Sequence, residues 1–267
     1  MRSAVPVERH VVVAMDDRAL VFDDLDGSDP SGARSARAVR DSLATSVVEV
    51  AGTGDGLPLA AARNAGAEVA LRMGAELLIF LDVDCLPDRH LVGHYVAAAE
   101  RSDLVGTLLC GPVAYLPPPP PGGYDLDAVA HHPPHRARPA PTPGECLTDG
   151  DHRLFWSLSF AVTATTWPRI GGFAEAYVGY GAEDTDYACR AEQAGVGITW
   201  VGGASAFHQW HETQNPPTQH LSDILRNGEI FAERWGWWPM EGWLSAFCDR
   251  GLIRWDDAGR RYERLVG

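Results

Sequence analysis

The sequence predicts an α/β protein built on a mostly parallel, doubly wound sheet flanked by helices. Short apolar or β-branched runs alternate with helical segments along the first half of the chain, which is the pattern of such a fold. The run Leu77–Leu81 holds five consecutive apolar residues, which suits a central strand buried on both faces of a parallel sheet. The chain has 267 residues, 45% of them hydrophobic, which suffices for one large domain or two small ones.

The first half of the chain shows these elements in turn. A β-branched strand is predicted at His10–Ala14, a short helix at Ala33–Leu43 within an acidic, glycine-broken stretch, and a strand at Val47–Val50. Pro58 suits the first turn of the next helix, and Gly74 is placed to end it. After the central strand, the remaining predicted elements are a helix from Pro87 to Ala99 and a strand from Leu104 to Leu109.

The secondary structure of the second half of the chain is predicted from weaker sequence patterns. Leu154–Thr163 is predicted to be a strand, and Thr166 and Pro168 suit the start of a short helix that Gly171 stops. The remaining predicted elements are strands at Gly195–Trp200 and Ala204–Phe207 and helices at Glu183–Ala194, Leu221–Trp235 and Pro239–Cys248.

A proline-rich segment, residues 112–150, separates these two parts. Five prolines stand together at residues 117–121, and His131, His132 and His135 follow among further prolines. This composition predicts a long loop of polyproline character. Its histidines are either solvated surface residues or metal ligands.

Composition limits the function classes. The formal net charge is −14 at pH 7, which argues against a nucleic-acid partner. The five cysteines are widely spaced and form no C-x-x-C pair, which predicts reduced thiols in a cytoplasmic protein. The first ten residues lack the apolar core of a signal peptide. No stretch approaches the roughly 20 apolar residues of a transmembrane segment, so peripheral contact is the only membrane contact left open.

Two carboxylates directly follow the central strand. Asp82 and Asp84 flank Val83 at what would be the carboxyl edge of the sheet, where such folds bind ligands. Their mutual repulsion favours a divalent cation as counter-charge. The alternative is a strand that ends in a polar turn, where Asp is common. Cys85 is expected to be a small buried residue.

A second group of acids begins a later helix. Glu183, Asp184 and Asp186 lie in its first turn, where the helix dipole alone would favour them. Four glycines between residues 171 and 181 permit close approach of a ligand, so a carboxylate here can serve as a general base. The dipole is expected to hold the pKa of that carboxylate low.

Two histidines follow three residues apart. His208 and His211 could each complete the coordination of a cation held by Asp84. Histidines beside Trp210 could equally be packing residues.

Three separated patches resemble glycosyltransferases of the nucleotide-sugar-dependent GT-A type. They are RNAG followed by FLDVD, then GGF-x-E with YGAEDTDYACR, and then H-x-x-H. The first half is similar to the large family-two group, and the second half to the carboxyl-terminal motif of galactosyltransferases. The resemblance implies a GT-A (Rossmann-like) fold in one continuous domain. Its parts would be a nucleotide-sugar-binding half at 1–111, the proline-rich loop at 112–153, and an acceptor-binding and catalytic half at 154–267.

The resemblance also implies roles for the acidic residues. Asp82 and Asp84 would form the D-x-D motif, with Asp84 the direct metal ligand and Asp82 nearer the ribose or sugar. Arg63 and Asn64 would line the nucleotide pocket. Asp184 matches the family's catalytic base.

Further roles follow from the same resemblance. Glu183 matches the neighbour that holds the acceptor, and Tyr180 stands where galactosyltransferases usually have Trp above the sugars. His211 matches a metal-binding histidine, and His208 a second, variable ligand. Ser157-Leu158 departs from the usual Gly-Gly beside the donor sugar.

The implied reaction is inverting transfer of a hexose from a nucleotide-sugar, expected to be UDP-linked, to a glycan or small-molecule acceptor. The implied cofactor is a divalent cation, Mn²⁺ or Mg²⁺. One alternative is a sugar nucleotidyltransferase, which would need a Gly-rich basic phosphate loop where Asp16-Asp17-Arg18 stands. The other is a non-catalytic nucleotide- or glycan-binding module of the same fold.

The start of the chain raises a further expectation. Only nine residues precede His10, too few for a strand and a crossover helix. We expect that the first βα unit of the fold is lacking. The alternative is that His10–Ala14 is the first strand and residues 18–46 a degraded crossover.

Overall fold

The computed structural model describes residues 7–16 and 45–265, which form an α/β fold with mixed sheets. Its strands are β1 (His10–Met15), β2 (Thr45–Val50), β3 (Leu77–Leu81), β4 (Cys85–Pro87), β5 (Leu108–Cys110), β6 (Val113–Tyr115), β7 (Cys146–Gly150), β8 (Ser159–Thr163), β9 (Ile198–Val201), β10 (Ala206–His208), β11 (Ile253–Asp256) and β12 (Arg261–Arg264). Its α-helices are α1 (Leu59–Arg72), α2 (Leu91–Ala99), α3 (Leu126–Val129), α4 (Trp167–Ile170), α5 (Glu183–Gln193), α6 (Leu221–Trp235) and α7 (Glu241–Asp249). The helix predicted at Ala33–Leu43 lies outside the described residues.

The largest sheet has the strand order β3-β8-β5-β9-β7. Only β5 and β9 pair in parallel within it, while the pairs β3–β8, β5–β8 and β7–β9 are antiparallel. The predicted α/β class is confirmed, but the sheet is mixed rather than mostly parallel. β7 lies within the proline-rich segment and β8 follows it, so no crossover helix precedes either strand, and antiparallel neighbours need none.

Strand β3 has the predicted bounds but a different place in the sheet. It is the first strand in the order and pairs antiparallel with β8. Leu78 is 5% exposed, whereas Leu81 is 36% exposed at the strand end. The prediction of a central strand buried on both faces of a parallel sheet is therefore wrong. Parallel pairing occurs instead between β1 and β2, between β5 and β9, and between β6 and β10. α1 packs against β1 and β2.

A small sheet of order β4-β10-β6 brings distant parts of the chain to the end of β3. β10 pairs antiparallel with β4 and parallel with β6. The segment at residues 112–150, predicted to be a loop, thus contributes β6, α3 and β7 to the fold. These pairings place residues from three regions of the sequence side by side.

Aromatic side chains fill the core between the large sheet and α5. Phe80 stacks on Phe160 with ring centroids 4.4 Å apart, and Phe173 stacks on Tyr187 at 4.2 Å. Trp167 contacts this group as well and is 8% exposed. Burying such rings stabilises a fold through their large apolar area and their mutual geometry. This core fixes the start of α5 against the sheet that carries β3.

The described chain from α6 onward forms a hydrophobic cluster of its own. α6 and α7 have the predicted positions, and the hairpin of β11 and β12, which the sequence did not predict, packs against them. All five cysteines are free thiols. None of the helices in the described ranges has both the length and the hydrophobicity that a membrane-spanning helix requires.

Candidate active site

The D-x-D segment forms a turn between β3 and β4. The amide of Asp82 donates to the carbonyl of Leu158 (2.9 Å), and the amide of Cys85 donates to the carbonyl of Asp82 (2.9 Å). Val83 at the tip of the turn is 99% exposed. The turn therefore presents Asp82 and Asp84 at the end of β3, on the side where β4 begins.

Asp84 meets the two predicted histidines. Cys85 on β4 lies opposite His208 on β10, and the amide of Gln209 donates to the carbonyl of Asp84 (2.8 Å). The Oδ2 atom of Asp84 lies 3.2 Å from Nε2 of His208 and 3.8 Å from Nε2 of His211. One ligand atom from each of these three residues lies within 4.8 Å of the others. Strand pairing thus assembles a group that could hold a metal ion.

The charges of this group support each other. The hydrogen bond from His208 holds the pKa of Asp84 below its ordinary value, and the same bond raises the pKa of His208. One carboxylate with two imidazoles suits Mn²⁺ better than Mg²⁺, because Mg²⁺ prefers a shell of oxygens. Cys85 is buried, as predicted, and burial raises the pKa of its thiol.

Tyr115 lies over this group, and no motif in the sequence marks it. It stands opposite His208 in the parallel pairing of β6 and β10, and the two rings stack 4.6 Å apart. Burial raises the pKa of the Tyr115 hydroxyl, and the charges of Asp84 and Asp184 raise it further. Tyr115 therefore covers one face of the histidine group.

Arg63 on α1 joins the D-x-D turn to α5. Its Nη2 atom donates to both carboxylate oxygens of Asp82 (2.9 and 3.1 Å), and its Nη1 donates to Oε1 of Glu183 (3.3 Å). The guanidinium also lies 5.4 Å from the ring centre of Phe173. Burial alone would lower the pKa of Arg63, but the two carboxylates outweigh it and the pKa is raised. The sequence placed Arg63 near a nucleotide and did not reveal this bridge.

Asn64 fixes the glycine-rich loop that precedes α5. Its Oδ1 accepts a hydrogen bond from the amide of Phe173 (2.7 Å), and its Nδ2 donates to the Phe173 carbonyl (2.9 Å) and to Glu175 (2.8 Å). A Cβ added at Gly172, where φ is +74°, would lie 2.9 Å from Oδ1 of Asn64. Only glycine fits there without strain. The nucleotide contact expected of Asn64 stays a prediction.

The acid pair Glu183 and Asp184 begins α5. Burial raises the pKa of Glu183 to about 7, with a further rise from Asp184 and an opposing effect from Arg63. Burial also raises the pKa of Asp184, against the hydrogen bonds from Thr185. The expectation that the dipole holds this pKa low is therefore wrong, because the cost of desolvating the charge outweighs the dipole.

Asp184 is held in one orientation. Its Oδ1 accepts from the amide (2.7 Å) and from the hydroxyl (3.2 Å) of Thr185. No hydrogen bond is made to its Oδ2 within the described part of the chain, and the side chain keeps some exposure to solvent. Ala182 enters the helix with φ at +73°, a left-handed conformation that is uncommon for a residue with a Cβ. The backbone is thus strained immediately before the candidate base.

Asp186, the third acid of this turn, has a structural role. It is fully buried and accepts hydrogen bonds from Tyr177 (3.2 Å), Arg190 (3.0 Å), Arg234 (2.8 Å) and Trp235 (2.9 Å). Two of these donors lie on α6. The carboxylate therefore joins α5 to α6.

Tyr180 lies beside the acid pair. Its ring stacks on His220 at 4.5 Å and contacts Trp243 at 5.6 Å, and it is 39% exposed. Burial raises the pKa of its hydroxyl to about 12, with contributions from Tyr115 and Asp184. A partly exposed ring near the candidate base agrees with the expected sugar contact, which stays a prediction.

Arg138 anchors the proline-rich segment. Its guanidinium lies between Trp156 (5.0 Å) and Trp200 (4.8 Å), and the residue is 5% exposed. Its three side-chain nitrogens make no hydrogen bond among the described residues, and burial lowers its pKa.

The histidines of the proline-rich segment were possible metal ligands. In the part of the chain that the structure describes, His131 and His132 belong to no group that could hold a metal ion.

The acidic turn, its two histidines and the acid pair of α5 lie on a mixed α/β sheet, the combination that the resemblance to GT-A glycosyltransferases implies. Comparison with known proteins supports the same class. Residues 150–212 match the family model described as the N-terminal domain of galactosyltransferase. Validoxylamine A glucosyltransferase of Streptomyces hygroscopicus subsp. jinggangensis is 28% identical over 198 residues, which cover 67% of this chain and 45% of that protein. The chain thus spans less than half the length of this relative.

Solved structures show a weaker likeness. S. aureus TarS in complex with UDP aligns with a TM-score of 0.49 at 13% identity, covering 86% of this chain and 58% of that one. GalNAc-T7 with UDP, GalNAc and Mn²⁺ aligns with a TM-score of 0.45 at 16% identity, covering 74% and 37%. At these scores the alignments carry no further conclusion. The sequence matches are to a galactosyltransferase family model and a glucosyltransferase, in line with the resemblance.

Proposed function

We propose that the chain is a metal-dependent, inverting glycosyltransferase that moves a hexose from a UDP-linked donor to an acceptor hydroxyl. The observation that carries this proposal is that a candidate metal-binding group and a candidate base occur in the same site. Asp84, His208 and His211 form a group with metal-ligand spacing, and Asp184 offers a free carboxylate oxygen. Arg63 bonds both Asp82, in the same turn as Asp84, and Glu183, the neighbour of Asp184, so one guanidinium joins the two groups of residues.

The ligand group would hold a divalent cation, and its mixed oxygen and nitrogen donors favour Mn²⁺. A cation bound there would supply charge that stabilises a diphosphate leaving group. Asp82 is held by Arg63, and its side chain remains 37% exposed. It is therefore positioned to accept a hydrogen bond from a hydroxyl of the donor.

Asp184 would take the proton of the acceptor hydroxyl at its Oδ2 atom. A raised pKa makes it a stronger base than an ordinary aspartate. Thr185 keeps the other oxygen occupied, so the carboxylate cannot turn away. Attack from the face opposite the diphosphate would invert the anomeric configuration. Glu183, paired with Arg63, would hold the acceptor beside this base.

The similar proteins suggest the first substrates to test. The curated relative is named as a glucosyltransferase of validoxylamine A, and the matching family model is that of galactosyltransferases. UDP-glucose and UDP-galactose are therefore the first donors, and validoxylamine A is the first acceptor. A cytoplasmic location, and peripheral contact with a membrane, stay proposals.

Release of UDP from UDP-glucose and UDP-galactose tests this function. We expect release by the wild type with Mn²⁺ and none with EDTA. Asp84→Asn should lower the rate by more than about 100-fold, since loss even of a residue that only supports a ligand costs about 10–100-fold. Asp103→Asn, which changes an exposed carboxylate, is the control.

Two outcomes would count against the proposal. Release that is equal with and without metal, or equal in Asp84→Asn and the wild type, would exclude the metal site. Donor binding without any release would instead indicate a non-catalytic binding module.

A further inference from the structure

The ring of His208 has to keep one orientation if it is to bind a cation together with Asp84. Its Nε2 atom lies 3.2 Å from Oδ2 of Asp84, and its side chain is 15% exposed. The torsion about the bond between Cβ and an imidazole has broad, roughly two-fold energy wells, so this torsion does not fix the ring by itself. In metal sites, the groups around a histidine ligand set its orientation. The neighbours of the His208 ring therefore decide whether Nε2 faces the cation.

Tyr115 covers one face of this ring. The two rings lie 26° from parallel, with their centroids 4.6 Å apart. The backbone keeps them in register, because Tyr115 pairs with His208 between β6 and β10 and the amide of Leu116 donates to the carbonyl of His208 (2.9 Å). Rotation of the imidazole out of its plane would drive its edge into the phenol ring. The stack thus preserves the plane in which Nε2 meets Asp84.

Tyr115 is itself held from its edges by two aromatic side chains. The ring of His135 lies 5.6 Å from that of Tyr115, and the ring of Trp156 lies 6.4 Å from it, both edge-on. His135 and Trp156 also contact each other, with centroids 5.0 Å apart. Edge-to-face contacts of this kind stabilise a ring in one position. A phenol ring that is 50% exposed therefore has fixed neighbours on its protein side.

The proline-rich segment supplies one of these neighbours. The amide of His135 donates to the carbonyl of Val113 (2.7 Å), so the segment returns to the strand that carries Tyr115. His135 was a possible metal ligand on sequence grounds, but its ring packs against Tyr115 and Trp156 instead. The segment thus contributes to the support of Tyr115.

His211 is held less firmly than His208. Its side chain is 53% exposed, and its Nε2 lies 3.8 Å from Oδ2 of Asp84. Its ring is tilted by 49° against that of His208, with centroids 5.1 Å apart. An exposed ligand can adjust to a cation, so the geometry of the group depends mainly on His208.

We propose that Tyr115 is a positioning residue, which fixes the imidazole of His208 for metal binding, and that His135 acts through Tyr115. This inference rests on the proposed function, which gives a divalent cation to Asp84, His208 and His211. The phenol ring carries the role by stacking, and its hydroxyl is dispensable for it.

Binding of Mn²⁺ alone, followed by the electron paramagnetic resonance signal of the free ion, tests Tyr115 without any turnover. We expect Tyr115→Leu to raise the Kd for Mn²⁺ by at least about tenfold, because loss of a group that orients a metal ligand costs about 10–100-fold. Tyr115→Phe keeps the ring and should bind Mn²⁺ as the wild type does. Tyr262→Leu removes a tyrosine whose ring contacts are with Trp238 and Trp255, and it is the matched control.

A double-mutant cycle tests whether His135 acts through Tyr115. His135 is exposed, so His135→Ala also tests the inference if Tyr115→Leu fails to fold. We expect His135→Ala to raise the Kd for Mn²⁺ by about threefold in the wild-type background and to leave it unchanged in the Tyr115→Leu background. Equal effects in the two backgrounds would show that His135 does not act through Tyr115.

Three results would overturn the role of Tyr115. They are no binding of Mn²⁺ by the wild type, the same Kd for Tyr115→Leu and the wild type, and a loss in Tyr115→Phe as large as that in Tyr115→Leu. UDP release by the wild type is measured separately. If release is absent while Mn²⁺ binding follows the expected pattern, the proposed reaction fails and the positioning role of Tyr115 stands.

Discussion

Arg63 is the residue that connects the two acidic parts of the candidate site. It is 10% exposed and bonds both Asp82 in the D-x-D turn and Glu183 at the start of α5. Three carboxylates, including Asp184, raise its pKa. A single buried cation therefore faces three carboxylates and can neutralise only one of their charges.

Removing this cation should destabilise the fold. We expect Arg63→Met to lower the free energy of unfolding by about 3 kcal/mol at pH 8, because it leaves the buried Glu183 charged and unpaired. Arg72→Met on the same helix, which removes an exposed guanidinium, should change it by no more than about 0.5 kcal/mol. Urea unfolding measures both variants, and equal losses in the two would contradict the role given to Arg63.

Glu183 should make stability depend on pH. Its pKa rises from 4.5 to about 7 on folding, so the stability it contributes is complete below pH 4.5 and is lost as the pH rises through 7. Glu183→Gln mimics the protonated acid. Relative to the wild type, the free energy of unfolding of this variant should therefore increase by on the order of 2 kcal/mol between pH 5 and pH 8.

Urea unfolding at the two pH values measures this gain. Glu229→Gln, which changes an exposed acid on α6, is the control and should show no such gain. A difference between wild type and Glu183→Gln that stays constant with pH would show that Glu183 is not desolvated.

At the scale of elements, α5 organises the candidate site. Its first turn carries the acid pair, and Asp186 in the same turn joins it to α6. The bounds of this helix followed from the sequence, since glycines flank it on both sides. Its contacts did not, because they depend on residues about 50 or 120 positions away.

Arg138 is a buried side chain that joins the proline-rich segment to Trp156 and Trp200. Truncation in Arg138→Ala removes the contacts with Trp156 and Trp200, each worth about 0.5–2 kcal/mol. We expect amide hydrogen exchange within residues 112–150 to become at least about tenfold faster. Arg136→Ala, two residues away and exposed, is the control. Equal exchange in the two variants would show that the segment is held by other contacts.

At the scale of the whole molecule, local patterns predicted elements but not their neighbours. The apolar run Leu77–Leu81 gave the bounds of β3 because strand formation there is a local property. Its place at one end of a mixed sheet depends on pairing with β8, about 80 residues later, for which the sequence holds no local signal. The hairpin of β11 and β12 was missed for a related reason, since its strands are short and carry alternating charges.

The candidate site was predictable where a motif marks it. The resemblance pointed to Asp84, His208, His211 and the acid pair, and the fold brings the first three together. Tyr115 and Arg138 belong to no motif, so only strand pairing and packing reveal them. The direction of the pKa shift at Asp184 was also missed, because burial cannot be read from a helix start.

The central claim is that Asp184 is the general base of a metal-dependent hexosyl transfer. UDP release with Mn²⁺ and a donor that supports turnover, compared between the wild type and Asp184→Asn, tests it most directly. We predict a fall in kcat of about 10²–10⁴-fold with unchanged donor affinity, because Asn cannot accept the proton. Glu229→Gln should match the wild type. Equal turnover by Asp184→Asn and the wild type would contradict the account.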